Sequence, residues 1–206
     1  MERSRVGEWI ANAVSHGVGF LLSVTALILL LIQANEMHVI VGVLVFGVSL
    51  MVLYLASTLY HALPHSSPKV VAVFKRLDHS AIYMLIAGTY TPFVILTISN
   101  TRGYMLLATL WGIAIVGITL KSIWINRFHA VHLVMYVLMG WSVLVIWPEV
   151  RAVISNGALV FLLMGGISYT AGVLFYINKF RYAHFVWHLF VLGGSIFHFV
   201  SVYHLI

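Results

Sequence analysis

Cysteine is absent from this 206-residue chain, acidic residues number only 5 and prolines only 4. Without thiols no disulfide can staple the fold, and any metal site has to be built from His, Asp or Glu. Charge of either sign is scarce: 8% of residues are charged against 62% hydrophobic, and the mean hydropathy is +1.05. A water-soluble domain cannot hide that much apolar surface, so lipid is the expected solvent for most of the chain. The shortage of acids leaves a formal net charge of +6. The Lys and Arg residues stand in short stretches between apolar segments, with no aromatic-plus-basic patch. They read as topology signals and contacts with anionic lipid, and nucleic acid is not an expected partner. What the chain has in excess is histidine, with 11 against the 5 acids.

The apolar residues fall into seven runs, each near the ~20 residues that cross a ~30 Å hydrocarbon core. The expected spans are about Val14 to Ile32, Val39 to Tyr60, Ala81 to Ile98, Tyr104 to Ile123, Val131 to Trp147, Gly157 to Ile177, and His184 to the C-terminus. Pro64 follows the second span. Ser67-Pro68 reads as a helix start, with Ser as cap and Pro in the first turn. Lys69 to Asp78 then reads as an extension of the third span, which Pro92 should kink. The loops are short, so the expected architecture is all-α: one seven-transmembrane-helix bundle over residues 1–206, with no separate soluble domain. Small residues four apart, Ala108 with Gly112 and Ser168 with Gly172, and the pairs Gly165-Gly166 and Gly193-Gly194, read as close helix packing.

Loop charge sets the expected orientation. With the N-terminus inside, the inner segments carry Arg3, Arg5, Lys69, Lys75, Arg76, Lys121, Arg127, Lys179 and Arg181, and the outer loops only Arg102 and Arg151. The expectation is therefore a cytoplasmic N-terminus and an outer C-terminus, in a plasma membrane and, for a bacterial chain, the inner one.

That topology brings ionisable groups to one depth. His184 and His188, four apart at the start of the seventh span, lie one above the other on a helix face and can reach one metal. The Glu that follows the first His in zinc-protease helices is missing, since position 185 is Phe. His61 ends the second span, and Asp78, the only Asp, begins the third. Glu8, Asn12 and His16 form a stripe on the first. Ionisable groups within a membrane are costly and are kept where they pair or bind. His61, His184 and His188 are the favoured ligand set for Zn²⁺, which suits imidazole, and three histidines leave one coordination position open. Asp78 would hold or deprotonate a water that the zinc activates. Ser57, one turn before His61, could donate to a bound carbonyl or to that water. Plainer readings stand beside these: Asp78 as a salt-bridge partner of Lys75 or Arg76, Ser57 as a packing serine, Glu8 as a favourable charge at a helix start. His129 and His132 are rival ligands. His38, His198 and His204 read as interface or packing residues.

Ser57-x3-His61, Asp78-His-Ser-Ala-Ile82, Gly88-Thr-Tyr-Thr-Pro-Phe93 and His184-x3-His188, preceded by Glu8-x3-Asn12-x3-His16, resemble the bacterial haemolysin III family over essentially the whole chain. That family is related to the progestin and adipoQ receptors and more distantly to alkaline ceramidases. The resemblance implies seven helices with a cytoplasmic N-terminus. It also implies Zn²⁺ held by the histidines at 61, 184 and 188, with Asp78 acting through water beside Ser57, and Glu8, Asn12 and His16 in support. The wider superfamily implies metal-dependent hydrolysis of lipid amides, and its bacterial members are linked with cytolysis and membrane-lipid homeostasis.

Three functions follow as expectations. The first is a zinc-dependent, ceramidase-like membrane hydrolase of lipid amides or esters, with membrane lipids as partners and Asp78 as general base. The second is a receptor-like sensor with structural zinc. The third is a cytolysin or pore former, against which stands the stacking of polar groups at one side of the bilayer. Substrate and oligomeric state are not encoded in any motif.

Overall fold

Among the described residues seven helical stretches are long and apolar enough to cross a membrane, the fifth of them, His129–Val153, an interrupted one. The computed structural model describes the backbone of residues 2–63 and 67–206, with side chains from Val6 onward; Pro64 and the side chains of Arg3 and Arg5 lie outside the described residues. In order the elements are α1 (Glu2–Gln33), α2 (Met37–Ala62), α3 (Pro68–Thr97), α4 (Thr101–Ile123), α5 (His129–Gly140), a 3-10 turn (Ser142–Ile146), α6 (Trp147–Val153), α7 (Asn156–Tyr176) and α8 (Ala183–Tyr203).

Local chemistry sets several boundaries. The Asn100 side chain accepts from the Gly103 amide at 2.9 Å, and Ser155 Oγ accepts from the Ala158 amide, each satisfying an otherwise orphaned helix N–H. Pro68 occupies the first turn of α3, but the preceding Ser67 makes no side-chain cap hydrogen bond. Two expected spans prove longer than their apolar runs. α1 begins at Glu2 rather than near Val14, and α3 is one 30-residue helix that takes in Lys69 to Asp78 and runs through Pro92 without a break.

The fifth span differs more. Instead of one helix from Val131 to Trp147, α5 stops at Gly140, a 3-10 turn follows, and α6 continues to Val153. Broken backbone in a membrane must find partners inside the protein. Tyr90 supplies them: its hydroxyl donates to the Gly140 carbonyl at 2.7 Å and accepts from the Val143 amide at 2.9 Å.

α3 is the axis of the bundle. Its most apolar stretch is 61% buried, against 22% for the corresponding stretches of α4 and α7. It packs between α2 and α4 and also touches α5 and α8, while α1 joins α2 to α8 and α8 joins α1 to α7. Tyr54, Tyr83, Phe46 and Leu110 are among the fully buried side chains. Outward-facing apolar residues such as Leu21, Ile32, Met105, Ile115 and Leu174 form the lipid surface. The small-residue pairs divide. Ser168 Oγ donates to the Phe190 carbonyl at 2.8 Å and Gly172 lies under Trp187 and Phe190, so this pair does pack α7 on α8. Ala108 and Gly112 are exposed instead, and a Cβ on Gly112 would meet nothing within 4 Å. Four-residue spacing alone cannot say which face of a helix meets a neighbour.

Candidate metal centre

The alternation of the helices brings the start of α1, the end of α2 and the starts of α3 and α8 to one end of the bundle. This is the end that carries Lys75, Arg76, Lys121, Lys179 and Arg181. Tyr182, the residue that precedes α8, adopts a left-handed backbone (φ 63°) rare for a bulky side chain. The Tyr182 hydroxyl rests against Gly7 of α1, with the Arg181 guanidinium 5.0 Å from the ring centre. α8 is thereby held against α1 with His184 and His188 turned inward.

His61, His184 and His188 converge: one ring nitrogen from each lies within 4.8 Å of the others. Ring centres are 5.2 Å apart for His61 and His184, 5.1 Å for His61 and His188, and 4.6 Å for His184 and His188. Nitrogens around tetrahedral zinc at 2.0–2.1 Å sit roughly 3.3 Å apart, so small side-chain rotations would close the set.

The surroundings favour a metal. His188 is 1% exposed, and its Nδ1 lies 3.1 Å from Ser15 Oγ and 3.3 Å from the Asn12 carbonyl. The Ser15 hydroxyl already donates to that carbonyl at 2.9 Å, so Nδ1 carries the proton and Nε2 is left as a ligand. His16 stacks on His188 with ring centres 3.5 Å apart and planes at 11°. Both His16 nitrogens and Asn12 Oδ1 are buried with no hydrogen-bond partner among the described residues. Orphaned polar atoms gathered around a ring of imidazoles are what a site built for a bound cation and its water would leave. The donor set therefore fits Zn²⁺.

Asp78 and Ser57 line the same cleft of about 370 Å³ as His16, His184 and His188. The Asp78 side chain is 15% exposed, and its Oδ2 lies 3.3 Å from His79 Nδ1, which also donates to the Lys75 carbonyl at 2.9 Å. Asp78 is thus not the partner of Lys75 or Arg76: Lys75 donates to Asn126 and Arg76 to the Ser122 and Ala72 carbonyls. Ser57 is 1% exposed, and its hydroxyl approaches Asp78 without a well-formed hydrogen bond. Glu8 lies half-buried further along the same stripe of α1, with no ion pair or hydrogen bond among the described residues. The rival pair does not join the cluster: His129 is exposed, and His132 is bonded to the Tyr83 hydroxyl at 2.7 Å. Ser15 is the residue that sequence reasoning missed. It is off the i, i+4 stripe by one position, and serines in membrane helices ordinarily bond their own backbone.

The cleft abuts a mainly apolar cavity between α3, α5, α7 and α8, the two sharing Leu53, Ile82, Tyr176, Trp187 and Val191 as walls. His198, expected as an interface or packing residue, lines the far part of this cavity, with Nε2 donating to the Leu162 carbonyl at 3.2 Å.

Comparison with known proteins gives one consistent result. A family model described as "Haemolysin-III related" matches residues 6–199. "Hemolysin-3" of Bacillus cereus is 44% identical over 201 residues, covering 96% of this chain and 91% of that one. "Hemolysin-3 homolog" of Bacillus subtilis (strain 168) is 42% identical over 194 residues, covering 92% and 90%. More distantly, human "Monocyte to macrophage differentiation factor" is 24% identical over 201 residues, covering 95% and 83%.

Proposed function

The chain belongs to the haemolysin-III related family of multi-pass plasma-membrane proteins, and on that premise we propose that it is a zinc-dependent hydrolase of lipid amides or esters, with the basic end of the bundle in the cytoplasm and membrane-lipid homeostasis as its role. The observation that carries this reading is the placement of Asp78 in the same cleft as His184 and His188, next to a second pocket with mainly apolar walls. A purely structural zinc is expected to be closed by four protein ligands, whereas here three imidazoles converge and the carboxylate sits beside them.

His61, His184 and His188 would hold the ion, with Nδ1 of His188 fixed by Asn12 and Ser15. Bound there, zinc supplies Lewis acidity towards a carbonyl and towards water. Asp78 accepts the proton of the attacking water and returns it to the leaving amine or alcohol. His79 holds the carboxylate in place, and Ser57 is positioned to donate to the carbonyl oxygen. Leu53, Ile82, Trp187 and Val191 keep the remaining walls dry and receive the chain of the lipid.

The test is Asp78→Asn. The variant should keep the wild-type zinc content and lose turnover of amide and ester lipids by at least a hundredfold. Unchanged turnover, or no turnover by zinc-loaded wild type, contradicts the reading. A zinc-loaded, stable Asp78→Asn protein also distinguishes it from a sensor with structural zinc, in which the carboxylate carries no chemistry.

A further inference from the structure

The basic end of the bundle has a second feature that the histidine cluster does not use. Leu110, Ala114, Gly117 and Lys121 form the buried stripe of α4, and Lys121 is only 2% exposed. No hydrogen bond or ion pair among the described residues reaches its ammonium. Lys75, His79, His129 and His132 are all within electrostatic range of this group or of one another. Lys75 and Arg76 donate to an amide and to carbonyls, so their charges are not neutralised either. The acid in this region, Asp78, is turned to His79. A lysine whose stem is buried and whose ammonium has no counter-ion at the membrane boundary is placed to meet an anion there.

Gly117 and Leu120, four residues and one residue before Lys121 on α4, line a groove open to lipid. α4 and α5 each pack on α3 and leave the groove between them, floored by Tyr83 and His132 and walled by Val116, Leu120, Phe128 and Val131. From Leu120 to Thr109 it follows α4 for about 16 Å at ~1.5 Å per residue, which is half of a ~30 Å hydrocarbon core and so the depth of one leaflet.

We propose that this groove binds one anionic phospholipid of the leaflet at the basic end, with the phosphate at Lys121, Lys75 and His129 and an acyl chain lying between α4 and α5 as far as Gly112. Charge selects the occupant, since a groove for any acyl chain needs no unpaired ammonium near its head. The groove shares no lining residue with the cleft of His184 and His188, and it does not depend on zinc.

Native mass spectrometry of the full chain tests it, with phosphatidylglycerol and phosphatidylcholine of identical chains titrated into the micelle. One phosphatidylglycerol should be retained per chain in preference to phosphatidylcholine. Lys121→Met should lower its affinity about fivefold, the equivalent of ~1 kcal/mol for one basic residue at an anionic surface. Gly112→Leu fills the groove without touching protein at its Cβ, and should lower retention while leaving thermal stability unchanged. Equal retention of the two lipids, or wild-type retention by both variants, overturns the proposal. Displacement by millimolar inorganic phosphate does so too, since it would make this a site for free anions.

Discussion

Replacing Tyr90 with Phe removes one oxygen and, with it, two hydrogen bonds to backbone groups at the break of the fifth span. The hydroxyl donates to the Gly140 carbonyl at 2.7 Å and accepts from the Val143 amide at 2.9 Å. The ring stays where it was, 9% exposed against α5 and the 3-10 turn, so the apolar packing is nearly unchanged. A buried donor or acceptor left without a partner costs ~1–3 kcal/mol in water-soluble proteins. Side-chain hydrogen bonds in membrane proteins average only ~0.6 kcal/mol and reach ~1.7. Two backbone groups lose their partner at once, so the expected loss is about 1–3 kcal/mol. Tyr169→Phe is the control. Its hydroxyl meets Ser195 Oγ at 2.7 Å, a group that keeps the Tyr54 hydroxyl, so this change should cost less than ~1 kcal/mol. Reversible unfolding in mixed micelles measures both. A Tyr90→Phe loss no larger than that of Tyr169→Phe would refute the view that Tyr90 holds the break together.

Gly165→Ala should destabilise the α7–α8 contact by ~1–3 kcal/mol through overpacking, because the new methyl would fall inside van der Waals contact with the buried His198 ring, whereas Gly112→Ala meets open space and should be neutral in the same assay. Ser15→Ala removes one of two groups at His188 Nδ1 and leaves the Asn12 carbonyl at 3.3 Å, so zinc affinity by chelator competition should fall about tenfold, the lower end for loss of an orienting partner; unchanged affinity would mean that Ser15 does not orient the ligand. Acidification should release the zinc steeply, since all three imidazoles must be neutral to ligate, and a release following a single-proton curve would argue against a three-histidine set.

Much of the architecture was legible because lipid leaves few choices. A run of ~20 apolar residues has to be a helix, and up-and-down alternation then carries His61, Asp78, His184 and His188 to one end whatever their separation in sequence. The limits of the helices were less legible. Glu2 to Ala13 and Lys69 to Asp78 are polar enough to read as flanks, yet each continues a helix whose backbone bonds cost nothing to extend into the interface. The break after Gly140 was invisible, since Ser142 to Ile146 is as apolar as any span and the compensating hydroxyl comes from Tyr90, 50 residues earlier. Composition reports how apolar a segment is, not which remote side chain will satisfy its carbonyls. Within the site, the ligand-competent histidines follow from spacing and depth. The role of Asn12 does not, because it bonds His188 through its backbone carbonyl, which no side-chain pattern encodes.

The most direct test is elemental analysis of the purified, folded chain alongside its His61→Ala and His188→Ala variants. One zinc per chain in the wild type, and its loss from both folded variants, is the expected result. A fully folded wild-type protein containing no transition metal, or variants that keep the full complement, would contradict the convergence of α2 and α8 on a single ion.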